Sequence, residues 1–276
     1  MPEGDTIFRM TVTLRQVLEG HPITRFHAPA LAGKHPAAGT MIRGVEARGK
    51  HLLIHFADDV ALHTHMQMDG SWHIYRHGER WWKGAAHARV VLETADMVTV
   101  CFDAPVVELL SARDVARHPQ LASLGPDLCA PGPDVDEALR RMAELDPSTQ
   151  IGAAMLDQRV AAGVGNVYKS EVLFACGVDP FVRVGAVDAQ TQRRLIQTAS
   201  VLLRRNLGGG PRTTVSGGLA VYDRAGRPCR SCGATIQHQR QGIQGRSTWW
   251  CPRCQPPFDL AERWVGREHQ NPGRDR

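Results

Sequence analysis

The chain contains 276 residues, of which 42% are hydrophobic, and its formal net charge at pH 7 is +5. This length accommodates two modest domains and a small additional unit with a sizeable buried core. No apolar run approaches the length of a membrane span, and the first residues lack the basic and apolar zones of a secretory signal peptide. The sequence therefore argues against a membrane-embedded or secreted protein and favours a soluble intracellular one.

The positive charge is concentrated toward the C-terminal end. Residues 201–276 contain thirteen arginines and five acidic residues. This distribution is expected if that end of the chain contacts phosphate groups. A disordered basic tail would have the same composition, so charge alone leaves both interpretations open.

An apolar pattern at helical spacing follows the N-terminal residues Met-Pro-Glu-Gly-Asp-Thr. It predicts a helix that starts just after Gly4, with Asp5 or Thr6 as its cap. The apolar positions are Ile7, Met10, Leu14, Val17 and Leu18.

The second residue, Pro2, could act as a nucleophile. Removal of Met1 would make Pro2 the N-terminal residue and expose a secondary amine. Such an amine can attack an aldehyde and form an iminium, which is covalent catalysis by a nitrogen nucleophile. A terminal amine titrates near ~8 and a lysine near ~10.4, so more of the terminal amine is unprotonated at neutral pH. On these few residues alone, a frayed terminus is the commoner explanation.

Residues 23–110 consist of short alternating runs broken by Gly, Pro and Asp, which predict a β-sandwich rather than a parallel sheet. The predicted strands are 41–47, 51–56, 60–65, 71–75, 88–93 and 97–102. Lys50 lies at the start of one strand and, on spacing alone, fits a solvated surface position. His63 and His65 lie two residues apart on another strand and fit either metal ligands or ordinary polar positions.

Helical patterns return after residues 118–135, whose Pro, Gly and Asp content predicts a connection between domains. The predicted helices are 135–145, 151–156, 166–176 and 188–207. Gly163 and Gly165 tighten the turn before Asn166, which is placed to cap the following helix. Exposed backbone amides at such a helix start bind phosphate, although glycine-rich connections are also common without this function.

Four cysteines near the C-terminal end have the spacing of a metal site. They form two Cys-x-x-Cys pairs, typical of a tetrahedral four-thiolate zinc site with a structural role. These cysteines are Cys229, Cys232, Cys251 and Cys254. The other three cysteines of the chain are scattered, which favours a reducing cytoplasm over a disulfide framework.

The residues between the cysteine pairs suggest what the unit presents. Residues 243–250 have strand-like composition and predict a hairpin held by the metal. Arg240, Arg246 and Arg253 lie between Cys229 and Cys254, a segment that contains no acidic residue. This composition indicates contact with a polyanion.

Four motifs in this order are shared with one known family. They are Pro2-Glu3-Gly4, Gly49-Lys50, the Gly-Val-Gly-Asn-Val-Tyr turn at 163–168, and the cysteine pairs. With these motifs the chain resembles the formamidopyrimidine-DNA glycosylase and endonuclease VIII family of base-excision repair enzymes, over nearly its whole length. A glycine follows Glu3 where the formamidopyrimidine branch has leucine, so the chain is more similar to the endonuclease VIII branch, including its actinobacterial members.

The resemblance implies an α+β multidomain architecture with DNA in the cleft between the domains. The expected units are an N-terminal helix and β-sandwich (1–118), a helical domain with a helix-two-turns-helix element (119–222), a zinc-finger hairpin (223–255) and a flexible tail (256–276). One structural Zn²⁺ is the expected cofactor.

The resemblance also implies a role for individual residues. Pro2 would attack the anomeric carbon of a nucleotide flipped out of the duplex and form a Schiff base. Glu3 would act as acid and base at the deoxyribose, and Lys50 would contact a phosphate beside the lesion. Asn166 and Arg246 would clamp flanking phosphates without reading sequence. Because the imine acidifies the neighbouring sugar protons, one nucleophile would supply both base removal and β,δ-elimination.

Two departures from the family pattern concern sugar handling and the opposite strand. Asp5-Thr6 stands where many members have Pro-Glu, so a second glutamate used at the sugar is missing. Residues 103–107 lack the arginine that the formamidopyrimidine branch inserts into the duplex.

A third departure lies in the wedge that fills the vacated base stack. The endonuclease VIII branch uses a Gln-Leu-Tyr turn, and this chain has Gln67-Met68-Asp69. We expect Gln67 and Met68 to contact DNA there, with Met68 as an apolar plug.

The predicted function is a bifunctional glycosylase and abasic-site lyase that removes oxidised pyrimidines from damaged DNA. The protein is expected to be a cytoplasmic monomer associated with the nucleoid through DNA. One alternative is the same chemistry on oxidised purines, which Gly4 and the absent arginine disfavour. Another is a zinc-dependent binding protein for damaged DNA that has no catalytic activity.

Overall fold

The computed structural model describes residues 2–32 and 35–257. A long first helix, α1 (Gly4–Leu18), precedes a sandwich of two four-stranded antiparallel sheets. The strands are β1 (Arg25–His27), β2 (Ile42–Arg48), β3 (His51–Phe56), β4 (Val60–His65), β5 (Ser71–Arg76), β6 (Ala88–Glu93), β7 (Met97–Phe102) and β8 (Val106–Ser111). The sheets have the orders β1-β6-β7-β5 and β2-β3-β4-β8. The predicted α+β class is confirmed, and β1 and β8 join the six predicted strands.

Alternating apolar residues explain why the two sheets stack. Leu52, Ile54 and Leu62 point from the second sheet into a core that Leu92 completes from the first. The opposite face of the second sheet has its own small core, in which Leu53 packs with the short helices after β8. Polar residues on that same face, at the ends of β3, β4 and β8, therefore lie outside the sandwich core.

The helical region follows the sandwich. Its helices are α2 (Ala112–Arg117), α3 (Pro119–Ala122), α4 (Val135–Ala143), α5 (Ile151–Ala154), α6 (Asn166–Ala175) and α7 (Ala189–Arg205), and Ala85–His87 and Val184–Ala186 form short 3₁₀ turns. Tyr168 and Val172 of α6 pack in one core with Leu195 and Ala199 of α7. These apolar residues recur at helical spacing, which is the pattern that predicts both helices.

Two predicted helix caps are wrong. Glu3 occupies the cap position of α1, so that Asp5 and Thr6 lie inside the first turn. Gly165 occupies the cap position of α6, and Asn166 is the first helical residue. The cap lies two or three residues earlier than predicted in α1 and one residue earlier in α6, because tertiary contacts hold each turn.

The C-terminal unit is a hairpin of β9 (Gln237–Gln241) and β10 (Arg246–Trp250). Glu171 of α6 connects the helical region to the preceding loop, because its carboxylate accepts hydrogen bonds from the backbone N–H groups of Ala220, Val221 and Tyr222 at 2.7, 2.8 and 2.8 Å. The predicted tail lies largely in residues 258–276, outside the described residues. Within the described ranges, none of the helices has the length and apolarity needed to cross a bilayer.

Candidate active site

The Glu3 carboxylate joins the N-terminus of the chain to the start of α6. It accepts hydrogen bonds from the backbone N–H groups of Gly165, Val167 and Tyr168 at 3.0, 2.8 and 3.3 Å. These N–H groups have no acceptor within the helix itself, and a helix N-terminus favours a nearby negative charge. A Cβ at position 165 would lie 2.4 Å from the Glu3 side chain, so only glycine permits this approach.

Glu3 lies beneath the surface rather than on it. The residue is fully buried, and burial raises the pKa of its carboxyl group above the usual range. The positive charges of Lys50 and Arg212 and the backbone N–H groups oppose this shift. The contacts of this buried carboxylate also constrain the residue that precedes it, Pro2.

Asp5 is held in a buried network by a hydrogen bond and an ion pair. Its carboxylate is fully buried, receives a hydrogen bond from the Tyr168 hydroxyl at 2.9 Å, and forms a two-point ion pair with Arg212 at 2.6 and 2.9 Å. Asp5 therefore holds α1 against α6 and the loop after α7. All of these partners belong to the protein, so the contacts of Asp5 are those of a structural residue at this junction.

Lys50 reaches the site through a tight turn between β2 and β3. Gly49 has a left-handed φ of 59°, and its backbone N–H donates to Asp127 at 2.8 Å. A Cβ at position 49 would lie 2.8 Å from that of Ala162, so the turn packs directly against the segment before α6. Burial and the positive charge of Arg246 lower the pKa of Lys50, while the negative charge of Glu3 opposes that change.

A cleft of about 1290 Å³ runs between the sandwich, the helical region and the zinc hairpin. Its walls bring together six of the residues predicted from the sequence, which are Pro2, Lys50, Gln67, Met68, Asn166 and Arg246. Glu3 lies behind this wall. A cleft lined by Lys50 and Arg246 suits an anionic substrate.

The predicted DNA contacts occupy distinct parts of the cleft. Met68 is 60% exposed, and the neighbouring Gln67 adopts a left-handed φ of 46°, so the turn projects from the sandwich. The amide of Asn166 is mostly buried at the start of α6, and among the described residues its Oδ1 atom has no hydrogen-bond partner. Arg246 is exposed at the start of β10 and donates to Gln244 at 3.2 Å.

Lys169 is a cleft residue that the sequence prediction missed. Its Nζ atom donates to the Ser247 carbonyl at 2.9 Å and to the Thr248 hydroxyl at 2.6 Å, which links α6 to β10. Burial lowers the pKa of Lys169 to about 7. The signal available in the sequence was its position three residues after Asn166, which puts both on one helix face.

His63 and His65 belong to a row of polar side chains on one face of the second sheet. The ring of His63 contacts His51 of β3 at 2.9 Å and Glu108 of β8 at 2.8 Å. The ring of His65 packs against His51 with centroids 4.5 Å apart. His51 and His65 line the cleft beside Lys50.

The four predicted zinc ligands converge. The Sγ atoms of Cys229, Cys232, Cys251 and Cys254 all lie within 4.8 Å of one another. The Cys229–Cys254 and Cys232–Cys251 distances are 3.9 and 3.4 Å, close to the ~3.8 Å expected for a tetrahedron with Zn–S bonds of ~2.3 Å. The donor set therefore fits one zinc ion in a closed, structural site.

Three family models match consecutive parts of the chain. They are the formamidopyrimidine-DNA glycosylase N-terminal domain (residues 1–105), the formamidopyrimidine-DNA glycosylase H2TH domain (residues 124–216) and the zinc finger found in FPG and IleRS (residues 226–257). The order of these matches is the order of the sandwich, helical region and hairpin in the structure.

Curated relatives match over almost the whole chain. A protein named probable endonuclease 8 2 from Streptomyces coelicolor is 40% identical, with 92% of this chain and 94% of the relative covered. The DNA-(apurinic or apyrimidinic site) lyase Nei2 of Mycolicibacterium smegmatis is also 40% identical, with 92% and 99% covered. Endonuclease 8 of Escherichia coli is 30% identical, with 92% and 100% covered.

Among solved structures, the Lactococcus lactis Fpg protein in complex with abasic-site DNA is similar to this chain. The two superpose with a TM-score of 0.79 at 25% identity, over 93% of this chain and 100% of the other.

The fold, the cleft and these matches define a DNA glycosylase with abasic-site lyase activity, of the class that acts in base-excision repair. The chain belongs to the formamidopyrimidine-DNA glycosylase and endonuclease 8 family. The family assignment predicted from the sequence is thereby confirmed.

Proposed function

We propose that this protein removes oxidised pyrimidines from DNA through an imine on Pro2 and then cleaves the strand by β,δ-elimination. The observation that carries the proposal is the position of Pro2 in the wall of the cleft, directly before a buried carboxylate and beside Lys50. An N-terminal amine needs an electrophilic carbon to be useful, and the anomeric carbon of a flipped nucleotide supplies one.

The first step is attack of the Pro2 nitrogen on C1′ of the extruded sugar, with departure of the damaged base. Glu3 exchanges a proton with the sugar ring oxygen as the ring opens, which its raised pKa favours. Lys50 neutralises the phosphate next to the lesion, and this contact holds C1′ in reach of the nitrogen. The product of the step is an iminium ion that links C1′ to Pro2.

The remaining cleft residues bind the duplex. Asn166 and Arg246 contact phosphates on either side of the flipped nucleotide, the first at the start of α6 and the second from the zinc hairpin. Gln67 and Met68 enter the space that the nucleotide vacates, where an apolar side chain replaces a stacked base. One structural zinc ion on the four cysteines keeps the hairpin, and hence Arg246, in position.

The preference for pyrimidines rests on two observations. The curated relatives at 30–40% identity carry the name endonuclease 8 or Nei2. The loop that carries an inserted arginine in the formamidopyrimidine branch contains none here, and its Asp103 is engaged by Lys83 and His87 at 2.6 and 2.8 Å.

A panel of duplexes tests this proposal. Each duplex carries one oxidised pyrimidine, one oxidised purine or one abasic site, and borohydride is added to reduce any imine. We expect a covalent adduct with abasic and oxidised-pyrimidine DNA and faster release of pyrimidine than of purine lesions. Binding without an adduct on any substrate would instead identify a non-catalytic DNA-binding protein.

A further inference from the structure

A row of polar side chains crosses the second sheet from its far edge to the cleft. Registry places His63 of β4 directly opposite Glu108 of β8, and His51 of β3 directly opposite His65 of β4. The side chains of all four therefore project from the same face, away from the sandwich core. Three of them form a continuous hydrogen-bonded chain, from Glu108 through His63 to His51.

The donors and acceptors along this hydrogen-bonded row run in one defined direction. A carboxylate only accepts hydrogen bonds, so the contact of 2.8 Å to Glu108 requires the proton of His63 to be on Nδ1. The Nε2 atom of neutral His63 is then an acceptor, and the contact of 2.9 Å requires His51 to donate from its own Nδ1. The lone pair of His51 is consequently on Nε2, which has no hydrogen-bond partner among residues 2–32 and 35–257.

The free end of this hydrogen-bonded row lines the cleft. His51 lines the same cleft as Pro2 and directly follows Lys50. The other end, Glu108, has a side chain that is 41% exposed, so it connects the row to solvent. Carboxylate, buried histidine and cleft histidine thus form a path along which a proton can leave the cleft.

We propose that His51 is the base that takes the C2′ proton in β-elimination, and that His63 and Glu108 are the positioning residues that orient it and stabilise its positive charge. This inference rests on the proposed function, because it needs the imine on Pro2. It assigns a general base to the elimination step, whereas Glu3 transfers a proton during ring opening.

His51 Nε2 takes the proton from C2′, and the electron pair of that C–H bond forms a C1′–C2′ double bond while the iminium nitrogen becomes neutral. The enamine then returns its pair, the C2′–C3′ double bond forms, and the C3′–O bond breaks with its pair on the departing phosphate. His51 donates from Nδ1 to His63 throughout, and the Glu108 carboxylate balances the imidazolium charge.

The His51 ring is neutral in the free protein, so its lone pair is not blocked by a proton. Burial, together with the neighbouring rings of His65, His63 and His118 and the positive charge of Lys50, lowers the pKa of His51 to about 3, so its ring is neutral at neutral pH. Bound phosphates bring negative charge beside Lys50, which raises the basicity of the ring when DNA is present.

A metal ion on the same residues is the competing explanation. His63, Glu108 and His118 offer ligand atoms within 4.8 Å of one another. However, His118 Nδ1 accepts a hydrogen bond from the Leu121 backbone N–H at 3.3 Å, so its proton is on Nε2, the atom that faces Glu108 at 3.1 Å. A protonated nitrogen has no lone pair for a metal, and the contacts favour a proton path.

The test separates imine formation from strand cleavage on abasic-site DNA. We compare the wild-type protein with His51→Ala, Glu108→Gln and the control His73→Ala, whose ring stacks on Trp82 of the sandwich away from the cleft. We expect His51→Ala to form the borohydride adduct at the wild-type rate but to cleave the strand about 10²-fold to 10⁴-fold more slowly. Glu108→Gln should show a smaller loss in the same step, and His73→Ala none.

Added imidazole distinguishes a catalytic role from a structural one. It should restore strand cleavage by His51→Ala and have no effect on His73→Ala, after subtraction of cleavage by imidazole alone. If His51→Ala is unfolded by circular dichroism, His51→Asn serves instead, because its amide keeps a donor toward His63 but supplies no base.

Three results would overturn the inference. The first is strand cleavage by His51→Ala at the wild-type rate, and the second is an equal loss of adduct formation and strand cleavage in that variant. The third is a second bound metal ion per wild-type chain that is lost in His118→Ala. Absence of an adduct with the wild-type protein would instead overturn the proposed function itself.

Discussion

The Glu3 carboxylate accepts a hydrogen bond from the Val167 backbone N–H at 2.8 Å, although 164 residues separate the two in sequence. The contact makes the start of the chain part of the helical region and places Pro2 at the junction of two structural units. The position of the proposed nucleophile therefore depends on folding of α6 as much as on folding of the sandwich.

This junction predicts the behaviour of Glu3→Gln. A glutamine offers one acceptor oxygen in place of two and turns an N–H₂ group toward the backbone donors of α6. We expect base removal to slow by about 10²-fold to 10⁴-fold, because a proton-transfer group is lost. Adduct formation on abasic-site DNA should persist, since the hemiacetal sugar of that substrate opens to its aldehyde in solution without the enzyme. Parallel assays on lesion and abasic duplexes measure both rates, and equal loss on the two substrates would contradict a role in ring opening.

Arg212→Ala tests the buried ion pair with Asp5. The Arg212 and Asp5 side chains are 15% and 0% exposed, so removal of the arginine takes the closest charged partner from a buried carboxylate and leaves it only the longer contact of 3.8 Å to Arg9. We expect the free energy of unfolding to fall by about 3–5 kcal/mol, as measured by urea denaturation. The exposed pair of Arg43 and Asp59 supplies the control, because Arg43→Ala should cost less than about 1 kcal/mol. Similar costs for the two variants would contradict this account.

Arg246→Ala tests the proposed phosphate contact of the hairpin. Loss of one phosphate contact should reduce the slope of log K against log salt by about 0.9 and weaken binding similarly for all sequences. Arg253→Ala is a matched control, because this exposed arginine belongs to the same unit but does not line the cleft. Fluorescence anisotropy at several salt concentrations gives both slopes, and an unchanged slope for Arg246→Ala would reject the contact.

Cys232→Ser tests the zinc site. With three thiolates left, the hairpin should lose its metal and its order, because binding of a structural zinc supplies folding free energy of about 10–16 kcal/mol. DNA affinity should fall with it, since Arg246 loses its support. Cys176→Ser, outside the four-cysteine cluster, should keep one zinc per chain by elemental analysis. Stoichiometric zinc in Cys232→Ser would contradict the four-thiolate site.

Local patterns in the sequence were enough to predict much of the fold. Alternation of apolar residues predicted six strands, and helical spacing predicted α1, α4, α6 and α7, because each pattern reflects which face of an element is buried. The four zinc ligands were also predictable, since the spacing of two Cys-x-x-Cys pairs is set by the chemistry of a tetrahedral ion.

Features that depend on distant residues could not be predicted in this way. No local pattern indicates that Asp5 pairs with Arg212, that Lys169 donates to Thr248, or that Glu3 is buried under α6. Each contact joins parts of the chain whose proximity is known only once the units are packed. The helix caps failed for the same reason, because tertiary hydrogen bonds replaced the side-chain caps that Asp5 and Asn166 would have provided.

The identity of the residue that carries the sugar tests the central claim most directly. The protein is incubated with abasic-site DNA and borohydride, the adduct is digested, and the modified peptide is sequenced by mass spectrometry. We expect the reduced sugar remnant on the nitrogen of Pro2, in a peptide from which Met1 has been removed. A remnant on Lys50, Lys169 or any other residue, or an active protein that retains Met1, would contradict the mechanism.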